Sequence, residues 1–138
     1  VGERALGMKP DHVGCMTNLG NALVDNSEVA RALDLQRRAY ALDPTDLLVV
    51  RNLAVALREA GKFDEAFQHF NALRAHFPDD ATLPWECALC HLYQADFVKG
   101  WPAFEARWKL PAMKARWSHI ARWQLGDDIT GKHVMLTE

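Results

Sequence analysis

Residues 53–78 read LAVALREAGKFDEAFQHFNALRAHFP. Gly61 stops a first helix, Ala66 opens the close contact of a second, Phe70 fills the space beside it and Pro78 ends it. The segment predicts two antiparallel helices joined by a tight turn. Outward from it, Pro10, Pro44 and Pro78 lie 34 residues apart, each followed by a helix-starting residue: Asp11, Thr45 and Asp79. A proline pushes its predecessor out of the α region, so a fixed proline interval marks periodic helix ends. With proline at place 32, three units run 13–46, 47–80 and 81–114, after a partial unit over 1–10.

The units agree in content. Place 7 holds Leu19, Leu53 and Cys87; place 8 holds Gly20, Ala54 and Ala88; place 20 holds Ala32, Ala66 and Gly100; place 24 holds Gln36, Phe70 and Phe104. Small residues at places 8 and 20 let two helices cross closely, while larger ones at 7, 11 and 24 fill the flanks. Internal recurrence at this interval, with MTNLGNALVD at 16–25 as a first helix, resembles the tetratricopeptide repeat over about residues 1–110. The resemblance implies an all-α, right-handed superhelical solenoid of about three and a half repeats, lined on its concave side by the first helix of each unit. Helices are expected near 1–9, 12–25, 28–42, 46–60, 63–76, 80–94 and 97–109, with a capping segment and irregular tail over 111–138 that includes a helix at 112–123 and a strand at 133–137.

Composition fits one domain with a core of its own: 138 residues, 49% hydrophobic. A net charge of -2 and a pI near 6.3 give no general pull toward nucleic acid or an anionic membrane. No apolar run reaches the roughly 18 residues of a membrane span. The opening VGERALGMKP carries no signal-peptide pattern, and the chain is read as cytoplasmic; starting without methionine and inside an expected helix, it is also read as a fragment whose open solenoid end can self-associate. Its 3 cysteines do not form a disulfide framework.

CALCH at 87–91 has the letters of c-type haem attachment. The repeat frame answers otherwise. It sets Cys87 where leucine packs and His91 where Leu23 and Leu57 stand, so Cys87, Ala88 and His91 point into the helical pair and a free cysteine acts as a small apolar residue. Neither haem nor another cofactor or metal is expected. No nucleophile elbow, phosphate loop or paired-carboxylate cleft is present, and Asp64–Glu65, Asp79–Asp80 and Asp127–Asp128 suit helix starts and turns. No enzyme activity is expected of this chain.

The candidate site is the concave face. Thr17, Arg51 and Trp85 share place 5; Asn18, Asn52 and Glu86 share place 6; Asn21, Val55 and Leu89 share place 9; Asp25, Arg58 and Glu59 complete the set. An asparagine recurring at place 6 resembles the amide ladder in the repeat arm of O-linked N-acetylglucosamine transferases, where side-chain amides hold a peptide's backbone. Such an amide both donates and accepts, so a row of them grips an extended chain without reading its sequence. The resemblance implies a protein or peptide partner. Glu86 breaks the third rung.

All 5 tryptophans lie at or beyond Trp85. Phe97, Trp101, Phe104 and Trp108 fall on one helical face, read as core. Between 97 and 123 six basic residues meet Glu105 alone, and arginine stacked on tryptophan explains that mixture better than nucleic-acid binding. DFVKGWPAFEARWKLP (96–111) with RWQLGDDITGKHVMLTE (122–138) is similar to the junction that joins repeats to a glycosyltransferase-like domain in bacterial proteins. That likeness implies a recognition arm whose catalytic domain lies beyond this sequence.

Overall fold

The computed structural model describes residues 12–113, with Asp128, Thr130 and Gly131 beyond them. Among the described residues these α-helices follow one another: α1 (Val13–Asp25), α2 (Val29–Leu42), α3 (Leu47–Glu59), α4 (Phe63–His76), α5 (Thr82–Tyr93) and α6 (Phe97–Phe104). A 3₁₀ turn, Glu105–Lys109, continues from α6. No strand occurs among the described residues. Consecutive helices pack on each other and α1 also touches α3, so three hairpins stack in order as an all-α solenoid. The expected helix over 97–109 keeps its extent but tightens to 3₁₀ after Phe104. Pro102 lies inside α6 and cannot donate an amide hydrogen. Residues 111–113 are helical; the helix expected over 1–9, the rest of 112–123 and the strand at 133–137 lie outside the described residues.

The three hairpins close by the same backbone device. Place 15 of each unit is in the left-handed region: Ser27 at φ 63, Gly61 at φ 72 and Ala95 at φ 59. The next amide then reaches back to a carbonyl five residues earlier, Glu28 to Leu23 at 2.8 Å, Lys62 to Leu57 at 2.9 Å and Asp96 to His91 at 2.9 Å. This is a Schellman closure. Only the middle unit has the residue that adopts this φ without strain. A Cβ on Gly61 would meet nothing within 4 Å, so its role is purely conformational. Gly61→Ala is therefore expected to lose about 1 kcal/mol and Ala95→Gly to gain about 0.5–1 kcal/mol, opposite signs at equivalent places, read by urea unfolding.

The larger core gathers around the middle unit: Leu53, Leu57, Phe70, Leu73, Leu83, Cys87 and Cys90, with Ala54 and Ala66 at the close crossings. A smaller cluster, Met16, Ala39 and Val49, joins the first hairpin to α3. Place 24 shows how the filling varies. Phe70 is 1% exposed, whereas Gln36 is fully buried at the same place in the first unit. Its amide nitrogen donates to the Thr17 carbonyl at 3.1 Å and to Asn21 Oδ1 at 3.0 Å. Gly20 makes room for it, since a Cβ there would stand 2.5 Å from Gln36 Nε2. Gly100 gives Leu92 the same clearance in the third unit. Contacts between units repeat as well: Arg37 pairs with Glu65 at 3.1 Å, Tyr40 meets the edge of His69, and Phe63 stacks on Tyr93.

Candidate functional site

The first helices α1, α3 and α5 present places 5, 6, 9, 12 and 13, and each helix starts where a side chain can satisfy its open amides. His12 Nδ1 accepts from Cys15 N at 3.2 Å before α1, and Asp46 Oδ1 accepts from Leu48 N at 2.8 Å before α3. Asp80 does the same for α5, accepting from Thr82 N at 2.9 Å.

The candidate residues divide by what already holds them. Asn18 is exposed and Asn52 half-buried, and neither side-chain amide bonds to any described residue. Asn21 is taken up by Gln36. Thr17 is buried, its hydroxyl donating to the carbonyls of Val13 and Gly14 at 3.2 and 3.1 Å. Val55, Trp85 and Leu89 are half-buried and form the apolar part of the surface.

The arginines turn sideways. Arg51 crosses from α3 to the start of α5, with Nη2 on Asp80 Oδ2 at 2.5 Å and Nη1 on Thr82 Oγ1 at 3.1 Å. Its guanidinium also lies 5.7 Å from the Phe77 ring centre. Arg58 reaches Glu59 Oε1 at 2.7 Å and Glu86 Oε2 at 2.9 Å. The Arg58 and Glu86 side chains are only 13% and 14% exposed. Their contact is close but poorly aligned for a hydrogen bond, and Arg58 Nε is buried without an acceptor. Burial pushes the Glu86 carboxyl above its usual range; Arg58 pulls it down and Glu59 pushes it up. Asp80 goes the other way. Its own desolvation is outweighed by hydrogen bonds from Thr82 and Arg51, which hold it below the usual carboxylate range. Sequence spacing carried this signal: each arginine on α3 has an acid 28 or 29 residues downstream, a little under one unit.

CALCH faces inward. Cys87 is 4% and Cys90 1% exposed, both in the core cluster. Burial, with Cys87 nearby, pushes the Cys90 thiol up to about 12. The His91 ring sits 5.0 Å from that of Phe67, with Nδ1 3.7 Å from Asp96. Among the described residues no group of three His, Cys, Asp or Glu is placed to hold a metal ion. The aromatic stripe departs from its core reading in part. Phe97 and Trp101 stack on each other yet are 53% and 56% exposed. Arg107 does lie over Phe104 and Trp108, at 4.6 and 4.7 Å. No described helix is long and apolar enough to cross a membrane.

The sequence profile of the tetratricopeptide repeat family matches residues 23–85. That match agrees with the 34-residue recurrence in this part of the chain. The match covers α2 to the start of α5, and hence the glycine turn and the larger core. Three solved MamA structures share the repeat fold. MamA MSR-1 superposes with a TM-score of 0.65 at 24% identity, over 83% of this chain and 64% of its own. MamA from Desulfovibrio magneticus RS-1 gives 0.65 at 17% identity, over 82% and 70%, and MamA AMB-1 gives 0.63 at 24%, over 88% and 67%. The chain thus spans about two thirds of the length of these repeat proteins, and the likeness is one of fold. No curated protein matches the sequence.

Proposed function

We propose that this repeat module binds an extended segment of a partner protein along its concave face. The observation that carries the reading is the pair of uncommitted amides, Asn18 on α1 and Asn52 on α3, at the same place in successive units. Side-chain amides that reach solvent and bond to no described residue can donate to and accept from the backbone of an extended ligand. Val55, Trp85 and Leu89 supply apolar contact beside them. Because the ladder is two rungs long, the third place being Glu86 bound to Arg58, the grip on backbone lies toward the first two units. Asn18→Ala with Asn52→Ala is expected to weaken a bound peptide about 10- to 100-fold, two hydrogen bonds' worth, with helical circular dichroism unchanged. Equal affinity for both proteins would remove the ladder.

Self-association is the second reading, supported by Tyr93, Phe97, Val98 and Trp101, all exposed around the turn into α6. Sedimentation that stays monomeric with rising concentration would dismiss it. A place as recognition arm of a bacterial glycosyltransferase-like protein rests on the residues quoted at 96–111 and 122–138 alone. Sugar-nucleotide hydrolysis by a chain extended past Glu138 is its test.

A further inference from the structure

We infer that the segment held in this groove is a basic one, with lysine or arginine interspersed among apolar side chains; the inference rests on the groove reading above. The groove's cations are engaged within the protein. Arg51 is bound to Asp80, and Arg58 lies between Glu59 and Glu86. Asp25, exposed at the end of α1, pairs with no described cation. With Asp80, the partner of Arg51 just before α5, counted in, two guanidinium groups meet four carboxylates, a surplus of two negative charges.

The placement of these charges sharpens the point. The Arg58 side chain is 13% exposed, while its partner Glu59 is 39% exposed, and Asp25 is exposed at the same place, 13, of the preceding unit. What faces an incoming chain is carboxylate. An acidic segment would meet those carboxylates and find the arginine donors occupied. Pulling Arg58 toward such a ligand would strand Glu86 in a buried position, a cost that opposes binding. A lysine or arginine on the ligand instead reaches Asp25 or Glu59 with its charge and lays its methylene stem along Val55 and Leu89.

Selection of random displayed peptides on the folded protein tests this, with three baits: the native chain, Asp25→Asn with Glu59→Gln, and Asn18→Ala with Asn52→Ala. The native chain is expected to enrich lysine and arginine over aspartate and glutamate about fivefold or more, and the Asp25/Glu59 variant to bring that ratio near parity. Both of those positions are exposed, so the fold survives their change. The gain is also expected to shrink several-fold at about 0.5 M salt. Neutral or acidic winners, or a basic bias that persists in the Asp25/Glu59 variant, overturn the basic partner and leave the groove standing. The same winners on the Asn18/Asn52 bait, or no winners on any bait, overturn the groove itself.

Discussion

Phe70→Ala is expected to destabilise the array by about 3–5 kcal/mol, lowering its urea midpoint without changing its helical signature at zero denaturant. Phe70 is 1% exposed and shares the larger cluster with Leu53, Leu57, Leu73 and Leu83, contributed by α3, α4 and α5. Its removal leaves a cavity where two units meet. In a stack whose units touch only their neighbours, damage at the centre also uncouples the two ends. One ring thus accounts for a large share of the roughly 5–15 kcal/mol that hold a small domain together. Unfolding followed by far-ultraviolet circular dichroism decides it; a loss below about 1 kcal/mol would mean that the cluster is not shared between units.

Arg58→Ala is expected to cost about 3 kcal/mol, because it strands the Glu86 carboxylate in a site 14% exposed. The pair as a whole contributes little. Desolvation of Glu86 outweighs the attraction of Arg58, and its carboxyl sits above the ordinary range in consequence. Arg58→Met with Glu86→Leu together should thus return to within about 1 kcal/mol of the native chain or exceed it. The pH dependence has a definite sign. A carboxyl whose folded pKa is raised favours folding at pH below its unfolded pKa, and that advantage is lost as pH rises through the folded value. Without Arg58 the rise is larger, so Arg58→Ala should lose more stability at about pH 7 than at about pH 4. Equal losses at both would indicate that Glu86 reaches water once its partner is gone.

Much of the fold was legible because its signals are short-range and repeated. Pro44 and Pro78, the small residues at places 8 and 20, and Gly61 set the helix ends, and the observed helices α1 to α5 begin and end within two residues of those expected. The tightening after Phe104 was less visible, because Pro102 suits a late helical turn and a 3₁₀ continuation alike. The site was legible as a surface and opaque as a set of contacts. Helical phase puts Thr17, Asn21, Arg51 and Arg58 toward the groove, but phase cannot say what reaches a side chain from the next helix. Gln36 from α2 takes Asn21, the α1 backbone takes the Thr17 hydroxyl, and Asp80 and Glu86 take the two arginines. Groups from the second helix of the same unit, from the loop that follows it and from the next unit settle those outcomes, and their reach depends on distances the helical period does not contain.

Ser27, Gly61 and Ala95 bend the chain alike although only glycine bends so willingly. In the outer hairpins, then, docking of the helices must impose the reversal, whereas the central one can reverse before its helices meet. The middle hairpin is accordingly the natural seed from which the stack grows toward both termini. Substitutions around Phe70 that slow refolding, rather than hasten unfolding, would register that order.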